Sequence, residues 1–386
     1  MKMKIGDITE IIDGDRGKNY PKKSDFKDEG FCLFLNTGNV TSDGFVFKKN
    51  DFISEEKSNK LRKGKLERGD LVFTTRGTVG NVAYYSDNIP YDHVRINSGM
   101  VIFRVFEKKV FNKFLYQILK HKNSRIYIRQ YCTGSAQPQL PIMNLRNIEL
   151  NIPPLETQYK IARILLAYDD LIENNERQIK LLEEAAQRLY KEWFVDLHFP
   201  GYEDVEIVDG IPEGWTSGVL GDLAAFKRGK TITKAQVQDG YVPVVAGGLE
   251  PAYYHNKANT VAPVITVSGS GANAGYARLY NVNVFASDCS FADSDTTPYL
   301  FYVYCFIMDN KDSFNALQKG SAQPHVYAKD INALKALIPT NKLIEEFCRI
   351  VSQYFEKIKI LQMQIQLSTE ARDRLLPKLM SGEIEV

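Results

Sequence analysis

Gly134-Ser135-Ala136-Gln137-Pro138 is a pentapeptide that the chain contains twice, because Gly320-Ser321-Ala322-Gln323-Pro324 repeats it 186 positions later. The same offset relates further residues without a gap as far as residue 194. Examples are the pairs Ile161 and Phe347, Tyr168 and Tyr354, Gln178 and Gln364, and Leu189 and Leu375. A long unit present only twice predicts a molecule of two related halves, since solenoids stack three or more short units.

Each copy of the repeat runs into a long predicted helix. From Ile161 the apolar positions recur at alternating steps of four and three, which indicates a coiled-coil seam rather than an ordinary surface helix. Asn175 is the strongly polar member of the first seam, and an asparagine at such a position fixes register and partner number at some cost in stability. The predicted seam residues are Ile161, Leu165, Tyr168, Ile172, Asn175, Ile179, Leu182, Leu189, Phe347, Val351, Tyr354, Ile358, Leu361, Ile365 and Leu375.

Proline and glycine predict where the two helices begin and end. Pro153-Pro154 precede the first helix, and Phe199-Pro200-Gly201 follow it. A proline inside a helix removes a backbone hydrogen bond, so Pro377 is predicted to end the second helix before Ser381-Gly382.

The segment before each helix contains short apolar runs separated by Gly, Asn and Asp, which predicts strands joined by turns. Predicted strands cover 31–35, 71–75, 82–85, 100–106 and 147–152, and then 241–245, 261–267, 275–280 and 333–338. Further helices are predicted over 110–130 and 298–317. The fold class is therefore α+β, with two mixed α/β domains separated by two long helices.

Four parts follow in chain order: a first domain over 1–153, a helix over 154–200, a linker and second domain over 201–339, and a helix over 340–386. The ends of a domain usually lie close together, so we expect the two helices to form an antiparallel coiled coil with a domain at each end. An approximate twofold axis would relate the halves. At about 1.5 Å per residue, each helix would be a spacer of roughly 60 Å.

Length, cysteine usage and charge narrow the class of protein. A chain of 386 residues exceeds what one core supports. No apolar run approaches membrane-spanning length, and the five cysteines form no Cys-x-x-Cys pair, so we expect no membrane and a reducing cytoplasm. Residues 1–153 carry 26 Lys and Arg against 17 Asp and Glu, which predicts an anion-binding first domain.

Several stretches resemble catalytic motifs without meeting their structural conditions. Residues 224–231 end like a phosphate-binding loop but lack its first glycine, and residues 269–274 match a dinucleotide fingerprint that opens no helix. Residues 88–91 differ from an adenine methyltransferase loop at their second position. Asp51 with residues 55–57 resembles a nuclease motif, but the charged start of a helix is the favoured interpretation. The five histidines have no ligand spacing, so we predict no catalytic, metal or cofactor site.

A binding signature remains, because basic residues concentrate in loops beside glycines, aromatics and amides. Arg and Lys neutralise phosphates, and Arg, Asn or Gln can read base edges. The candidate DNA-binding residues are Arg16, Lys18, Lys22, Lys23, Arg62, Lys63, Lys65, Arg76 and Arg95, followed by Lys227, Arg228, Lys230, Lys234 and Arg278. Each alone is more often a solvated surface charge. The repeated pentapeptides either fix a turn, which we favour, or present Gln137 and Gln323 to DNA.

Three further motifs carry a family resemblance over essentially the whole chain. They are residues 152–165 with 190–194, residues 211–215 (Ile-Pro-Glu-Gly-Trp), and residues 374–384 (Arg-Leu-Leu-Pro-Lys-Leu-Met-Ser-Gly-Glu-Ile). Together with the repeated pentapeptide, they resemble the specificity subunits of type I restriction–modification systems. The chain departs from the family pattern at one point, because the segment that leads into the first domain has no tryptophan corresponding to Trp215.

The resemblance implies a function and partners. Each globular domain would be a target-recognition domain that reads one half of a bipartite asymmetric site in double-stranded DNA. The helices would set the unread gap and dock two adenine-N6 methyltransferase subunits, which would carry S-adenosylmethionine. Motor-nuclease restriction subunits would join that core, and this chain would be non-catalytic.

Two other classes of function stay open on the sequence alone. One is a stand-alone DNA methyltransferase or nuclease, which would turn over labelled methyl donor or DNA without partners. The other is a DNA-independent coiled-coil adaptor, which would show no salt-dependent DNA binding.

Overall fold

The computed structural model describes residues 1–134, 137–320 and 324–386, and it forms two compact units. Unit 1 comprises Met1–Ile172 and Gln366–Val386, and unit 2 comprises Glu173–Ile365. The predicted α+β class is confirmed by the alternation of helices and strands in both. Both long helices cross the boundary, so each unit contains a globular part and a portion of each helix.

Unit 1 begins with a globular part that contains every strand predicted for it, at 32–35, 71–74, 82–84, 100–105 and 149–151, together with further strands that were not predicted. Its strands are β1 (Lys2–Lys4), β2 (Thr9–Asp13), β3 (Cys32–Leu35), β4 (Val40–Thr41), β5 (Gly44–Phe45), β6 (Phe52–Ile53), β7 (Leu71–Thr74), β8 (Val82–Tyr84), β9 (Val94–Ile96), β10 (Met100–Val105) and β11 (Glu149–Asn151). Its short helices are α1 (Ile5–Ile8), α2 (Glu55–Lys60), α3 (Asn112–Lys120), α4 (Lys122–Arg129) and α5 (Ile142–Asn147).

The single helix predicted over 110–130 is wrong, because the chain breaks at His121. His121 has extended backbone angles, and its Nδ1 accepts a hydrogen bond from the backbone N–H of Asn123 at 3.3 Å. This side chain therefore caps the start of α4, which satisfies one of the free N–H groups that every helix start leaves.

The core of unit 1 lies on both faces of an antiparallel sheet with the order β2-β10-β7-β8. Phe73, Val101 and Phe103 face one cluster that includes Phe114 of α3. Their neighbours in the strands face a second cluster, which contains residues of the three-stranded sheet β6-β3-β9. Because side chains alternate along a strand, a sheet covered on both faces produces the continuous apolar runs seen in the sequence.

Unit 2 repeats this topology after a short hairpin. Its strands are β12 (Ile207–Val208), β13 (Ile211–Pro212), β14 (Thr216–Val219), β15 (Lys227–Arg228), β16 (Val242–Val245), β17 (Tyr253–His255), β18 (Val264–Ser268), β19 (Ala277–Tyr280), β20 (Phe285–Ala286), β21 (Cys289–Asp293) and β22 (Lys335–Ile338). Its short helices are α7 (Leu220–Leu223), α8 (Leu300–Asp309), α9 (Lys311–Ala316) and α10 (Ala328–Asn332). The sheets β15-β21-β18-β19 and β17-β16-β20 correspond strand for strand to those of unit 1.

The long helices are α6 (Leu155–Phe194) and α11 (Asn341–Ser381), with α6 placed between β11 and β12 in chain order. In unit 2, Asn175 of α6 donates a hydrogen bond to Gln364 of α11 at 3.3 Å, and Tyr190 packs against Phe347. In unit 1, Asp169 pairs with Arg372. Asn175 precedes Tyr190 in α6, whereas its partner Gln364 follows Phe347 in α11. The two helices are therefore antiparallel within unit 2.

The structure buries or half-buries every predicted seam residue. The fully buried ones are Ile161, Leu165, Asn175, Phe347, Val351, Ile358 and Leu361, and the half-buried ones are Tyr168, Ile172, Ile179, Leu182, Leu189, Tyr354, Ile365 and Leu375. Asn175 is only 2% exposed, so its hydrogen bond to Gln364 satisfies an amide that would otherwise be costly to bury.

The predicted break at Pro377 is wrong, because α11 continues through it to Ser381. A proline leaves the carbonyl four residues earlier without its helical partner, and here that carbonyl belongs to Asp373. His121 Nε2 lies 3.1 Å from this oxygen. With Nδ1 accepting from Asn123, the Nε2–H donates to Asp373, so one side chain both caps α4 and compensates for Pro377 within unit 1.

Candidate nucleic-acid interface

Most basic loops of unit 1 meet at one end of its four-stranded sheet. Because β10 is antiparallel to both β2 and β7, the start of β10 lies beside the ends of the other two strands, with Val101 opposite Asp13 and Met100 opposite Thr74. We call the loops at this end, residues 14–18, 62–65, 75–80, 97–99 and 137–139, the unit 1 rim.

Hydrogen bonds tie these loops together and bring two predicted arginines to the same edge. Arg16 donates to the carbonyl of Ser98 at 3.3 Å, and the backbone N–H of Arg76 donates to the carbonyl of Gly99 at 3.1 Å. Arg76 also forms a β-bridge with Gln139. The exposed side chains of Arg16 and Arg76 therefore flank a shared loop, with Gln139 beside the second.

Asp15 holds the loop that carries Arg16 against the loop that carries Arg62. Its buried carboxylate accepts the backbone N–H groups of Gly17 at 2.6 Å and of Arg62 at 2.7 Å. Burial alone would raise the pKa of Asp15, but these hydrogen bonds and the Arg62 guanidinium outweigh it and lower the pKa. Arg62 itself is 78% exposed, so its charge remains available at the rim.

The remaining predicted lysines of unit 1 are exposed. Lys63 and Lys65 flank Gly64, which packs against Gly14 in the neighbouring rim loop. Lys18 lies in the Arg16 loop, and Lys22 and Lys23 enter a single 3-10 turn, Lys23–Asp25. The structure thus places Lys18, Lys63 and Lys65 in the rim, with Lys22 and Lys23 farther along the same loop.

Arg95 is a correction to the predicted surface. It is 6% exposed, and it donates to the hydroxyl of Ser58 at 3.0 Å and to the carbonyl of Lys63 at 2.9 Å. Burial lowers its pKa. The Arg95 guanidinium supports the 62–65 loop from inside the protein, and it is not available for a ligand.

Unit 2 has a corresponding edge, which we call the unit 2 rim: residues 229–232, 269–274, 286–288 and 324–326. The backbone N–H of Lys230 donates to the carbonyl of Ala286 at 2.9 Å, and the N–H of Ile232 donates to Ser287 Oγ at 3.3 Å. A Cβ added to Gly229 would lie 2.4 Å from the carbonyl oxygen of Ser287, so only glycine permits this close approach.

The same backbone frame carries different side chains in the two rims. Arg76 and Gln139 of unit 1 form a β-bridge, and the equivalent bridge of unit 2 joins Ser270 and His325. The Ser270 hydroxyl donates to the carboxylate of Asp288. His325 stacks on Tyr327, with ring centroids 6.0 Å apart.

Sequence reasoning missed Gln139, Asp288 and His325 as rim residues. Gln139 and His325 could have been found, because the repeat offset of 186 relates them and places each beside its pentapeptide. Thr133 bridges Gln139, and Lys319 bridges His325, so the described flanks of each pentapeptide pair with one another. Residues 135–136 and 321–323, including the candidate Gln323, lie outside the described residues.

The other predicted residues of unit 2 divide between surface and cleft. Lys227 and Arg228 form β15 with exposed side chains, and Lys234 starts an exposed 3-10 turn. Arg278 is half-buried: it donates to the carbonyl of Leu249 at 2.9 Å and stacks over Tyr280. Arg278 also lines a cleft of about 640 Å³, together with Phe355 and Gln362 of α11. The hydrogen bond and the stacking engage its guanidinium within this cleft.

The motifs that resembled catalytic loops have ordinary structural roles. Residues 269–274 form the turn of the antiparallel β18–β19 hairpin and open no long helix. Ser54 caps α2, so the charged residues Glu55 and Glu56 begin a helix, as predicted. In the ranges 1–134, 137–320 and 324–386, no group of three or more His, Cys, Asp or Glu side chains is placed to hold a metal ion.

Across the described part of the chain, none of the helices combines the length and the apolar character needed to cross a bilayer.

Comparison with known proteins identifies the architecture. The model of the type I restriction modification DNA specificity domain matches residues 1–184 and 212–370. The MjaIX specificity subunit of Methanocaldococcus jannaschii, a type I restriction enzyme subunit, is 28% identical over 83% of this chain and 78% of its own length. The HindI specificity subunit of Haemophilus influenzae is 23% identical over 98% of this chain and all of its own.

A solved structure agrees in fold. The crystal structure of a type I restriction–modification system S subunit from M. genitalium has a TM-score of 0.58 to this chain, covering 98% of this chain and 95% of that one at 18% identity. The family model covers both repeats and most of both long helices. The chain belongs to the type I restriction modification DNA specificity family.

Proposed function

We propose that this chain is the DNA-recognition subunit of a type I restriction–modification complex. Unit 1 and unit 2 each read one half of a bipartite, asymmetric site in duplex DNA. The chain is itself non-catalytic, and two adenine-N6 methyltransferase subunits, which bind S-adenosylmethionine, supply the methylation. Motor-nuclease restriction subunits join the same complex to cleave DNA.

The observation that carries the proposal is the pair of equivalent rims with unlike side chains. A common backbone frame suits binding to the repeating DNA backbone, and different side chains on it suit the reading of different bases. Arg76 beside Gln139 offers donors for guanine and for adenine, whereas Asp288 and His325 offer another pattern in unit 2. Two rims with different side chains in one chain would recognise two different half-sites, and such a site is asymmetric.

Replacing single rim residues should weaken DNA binding through separate half-sites. Arg76→Ala or Lys230→Ala is expected to cost about 1–3 kcal/mol of binding free energy, because each loses a charged contact to DNA. Fluorescence anisotropy with the assembled methyltransferase complex and the methylated target sequence measures the loss. Lys108→Ala is the matched control, since Lys108 follows β10 at the opposite end of the sheet. Unchanged affinity for both rim variants would remove these loops from the contact surface.

The two long helices are proposed to fix the gap between the half-sites. A seven-residue insertion preserves a coiled-coil register and adds roughly 10 Å, which is the rise of about three base pairs. Placing one heptad after Ile172 and another after Ile365 keeps α6 and α11 in step, because both positions lie at the boundary between the units. Methylome sequencing is expected to report the same two half-sites with a gap about three base pairs longer.

An insertion in α6 alone is the matched control for this design. It displaces one seam against the other, so we expect loss of methylation rather than a longer gap. An unchanged gap in the double-insertion complex, with methylation retained, would contradict a spacing role for the helices.

The non-catalytic role has its own test. The purified chain incubated with duplex DNA and labelled S-adenosylmethionine is expected to transfer no methyl groups, and addition of the methyltransferase subunits is expected to start transfer. Turnover by the chain alone would favour the stand-alone enzyme. Absence of salt-dependent DNA binding in the full complex would favour the adaptor.

A further inference from the structure

Helix α4 of unit 1 carries three basic side chains on one face. Lys122, Arg125 and Arg129 are spaced by three and four residues, which aligns them along a helix. Lys122 and Arg129 are exposed and Arg125 is half-buried. Within the described ranges, no hydrogen bond or ion pair engages any of the three side chains. Three unpaired cations in a row form a surface that attracts anions.

This face is continuous with the unit 1 rim. Gly80 ends the 75–80 rim loop, which also carries Arg76, and the Arg125 side chain packs directly on Gly80. A Cβ added to Gly80 would lie 3.7 Å from Arg125 Cγ. The basic face of α4 therefore begins where the rim ends, and a duplex lying on the rim would reach it.

The acidic groups around α4 are mostly engaged by other partners. Asp169 pairs with Arg372 and Lys120, and Asp373 pairs with Arg372 at 2.9 Å. Asp43 shares a small cleft with Lys122 and Arg125, and the hydroxyl of Ser42 donates to it at 3.2 Å. The local balance therefore stays positive.

The equivalent face of unit 2 is not basic. Helix α9, which follows α8 as α4 follows α3, carries Lys311 as its one Lys or Arg residue. Asp312 adds a negative charge at the start of α9. Residues 1–153 carry an excess of positive charge, and the basic face of α4 contains part of that excess.

We propose that Lys122, Arg125 and Arg129 form a phosphate-binding ridge that contacts the sugar–phosphate backbone of duplex DNA beside the unit 1 half-site. The three positions span roughly 10 Å of helix, which equals the rise of about three base pairs along one strand. The ridge contributes affinity without base preference, because phosphates carry no sequence information. This inference rests on the proposed function of the chain in DNA recognition.

The test replaces the three side chains by glutamine, which removes charge and retains the stem that packs on Gly80. Fluorescein-labelled duplexes containing either the methylated target sequence or a scrambled one are titrated with the assembled methyltransferase complex at several salt concentrations. Lys122→Gln/Arg125→Gln/Arg129→Gln is expected to weaken both duplexes by a similar factor, on the order of tenfold to a hundredfold. The slope of log affinity against log salt should fall in magnitude by about two to three.

A matched variant removes the same charge elsewhere. Lys2→Gln/Lys4→Gln/Lys108→Gln changes β1 and the turn after β10, at the opposite end of the unit 1 sheet, and it is expected to leave affinity and slope near wild type. Thermal unfolding of both triple variants should match wild type within a few degrees, because glutamine keeps the part of the Arg125 side chain that packs on Gly80 and the other five residues are exposed.

The outcomes separate the ridge from the proposed function. A wild-type complex that does not prefer the target over the scrambled duplex overturns DNA recognition itself. A wild-type complex that discriminates, with a ridge variant of equal affinity and slope, overturns the ridge alone. Loss of methyltransferase subunits from the ridge variant in size-exclusion chromatography, with DNA affinity per assembled complex unchanged, would also overturn it, since the surface would then bind protein.

Discussion

Phe347→Ala is expected to destabilise unit 2 by about 4 kcal/mol, because it empties the centre of an aromatic cluster. Phe347 is 0% exposed, and its ring lies 5.1 Å from Phe194 and 5.9 Å from Trp193. It joins the start of α11 to the end of α6 within unit 2. Truncation leaves a cavity that neighbouring rings cannot fill without changing their rotamers.

Tryptophan fluorescence measures this loss specifically. The chain has two tryptophans, Trp193 and Trp215, and both belong to the core of unit 2. Urea unfolding followed at their emission is expected to show the destabilisation for Phe347→Ala. The control Tyr241→Ala, at a residue 96% exposed, should change the free energy of unfolding by less than about 0.5 kcal/mol. A cost for Phe347→Ala below about 1 kcal/mol would contradict the packing described for this helix pair.

Asp169→Ala is expected to destabilise unit 1 by about 3 kcal/mol, because Lys120 loses its carboxylate and Arg372 is left with Asp373. Asp169 lies 2.6 Å from Arg372 and 3.4 Å from Lys120, and these side chains are only 15–18% exposed. Burial opposes the charge on Arg372, but Asp169 and Asp373 outweigh it and raise the pKa of Arg372. The double variant Asp169→Leu/Arg372→Leu should be less destabilised than the sum of its single variants.

Far-UV circular dichroism during urea unfolding reports on both units, whereas tryptophan fluorescence reports on unit 2. A destabilisation of unit 1, which has no tryptophan, is therefore expected to shift the circular dichroism transition and not the fluorescence transition. The matched control is Arg374→Ala, which removes one partner of the exposed Arg374–Glu370 pair on the part of α11 that belongs to unit 1. Exposed pairs of this kind contribute at most about 0.5 kcal/mol. If Asp169→Ala costs no more than this control, the buried ion pair does not stabilise the helix pairing in unit 1.

Much of the architecture could be predicted because it depends on local periodicity. The apolar and β-branched run at 71–75 predicted a strand, and β7 (Leu71–Thr74) occupies all but its last residue. The four-and-three stepping of α6 and α11 indicated which face is buried, including Asn175. These patterns are visible in the sequence because the residues that share a face lie within one or two turns of each other.

The features that could not be predicted depend on partners far away in sequence. Arg95 looked like any basic loop residue, but its guanidinium is bound by Ser58 and by the carbonyl of Lys63, more than 30 positions earlier. Pro377 normally ends a helix, but His121, which precedes it by more than 250 positions, donates to the carbonyl that the proline frees. Composition and spacing do not encode such contacts.

The sequence indicated which types of residue the candidate interface contains, but it indicated the positions of only some of them. Basic residues beside glycines marked the loops of Arg16, Arg62 and Arg76, and the structure gathers these loops at one edge. Arg278 appeared equivalent to them in sequence, yet Leu249 and Tyr280 engage its guanidinium. Whether a loop arginine is free or engaged is decided by tertiary packing.

The most direct test of two independent readers in one chain is methylome sequencing of a host that carries the complex with Arg76→Ala or with Lys230→Ala. We expect each variant to relax or lose base preference in one half of the bipartite site, a different half for each, while the other half and the gap stay unchanged. Relaxation of the same half by both variants, or of both halves by either one, would contradict the assignment of one half-site to each unit.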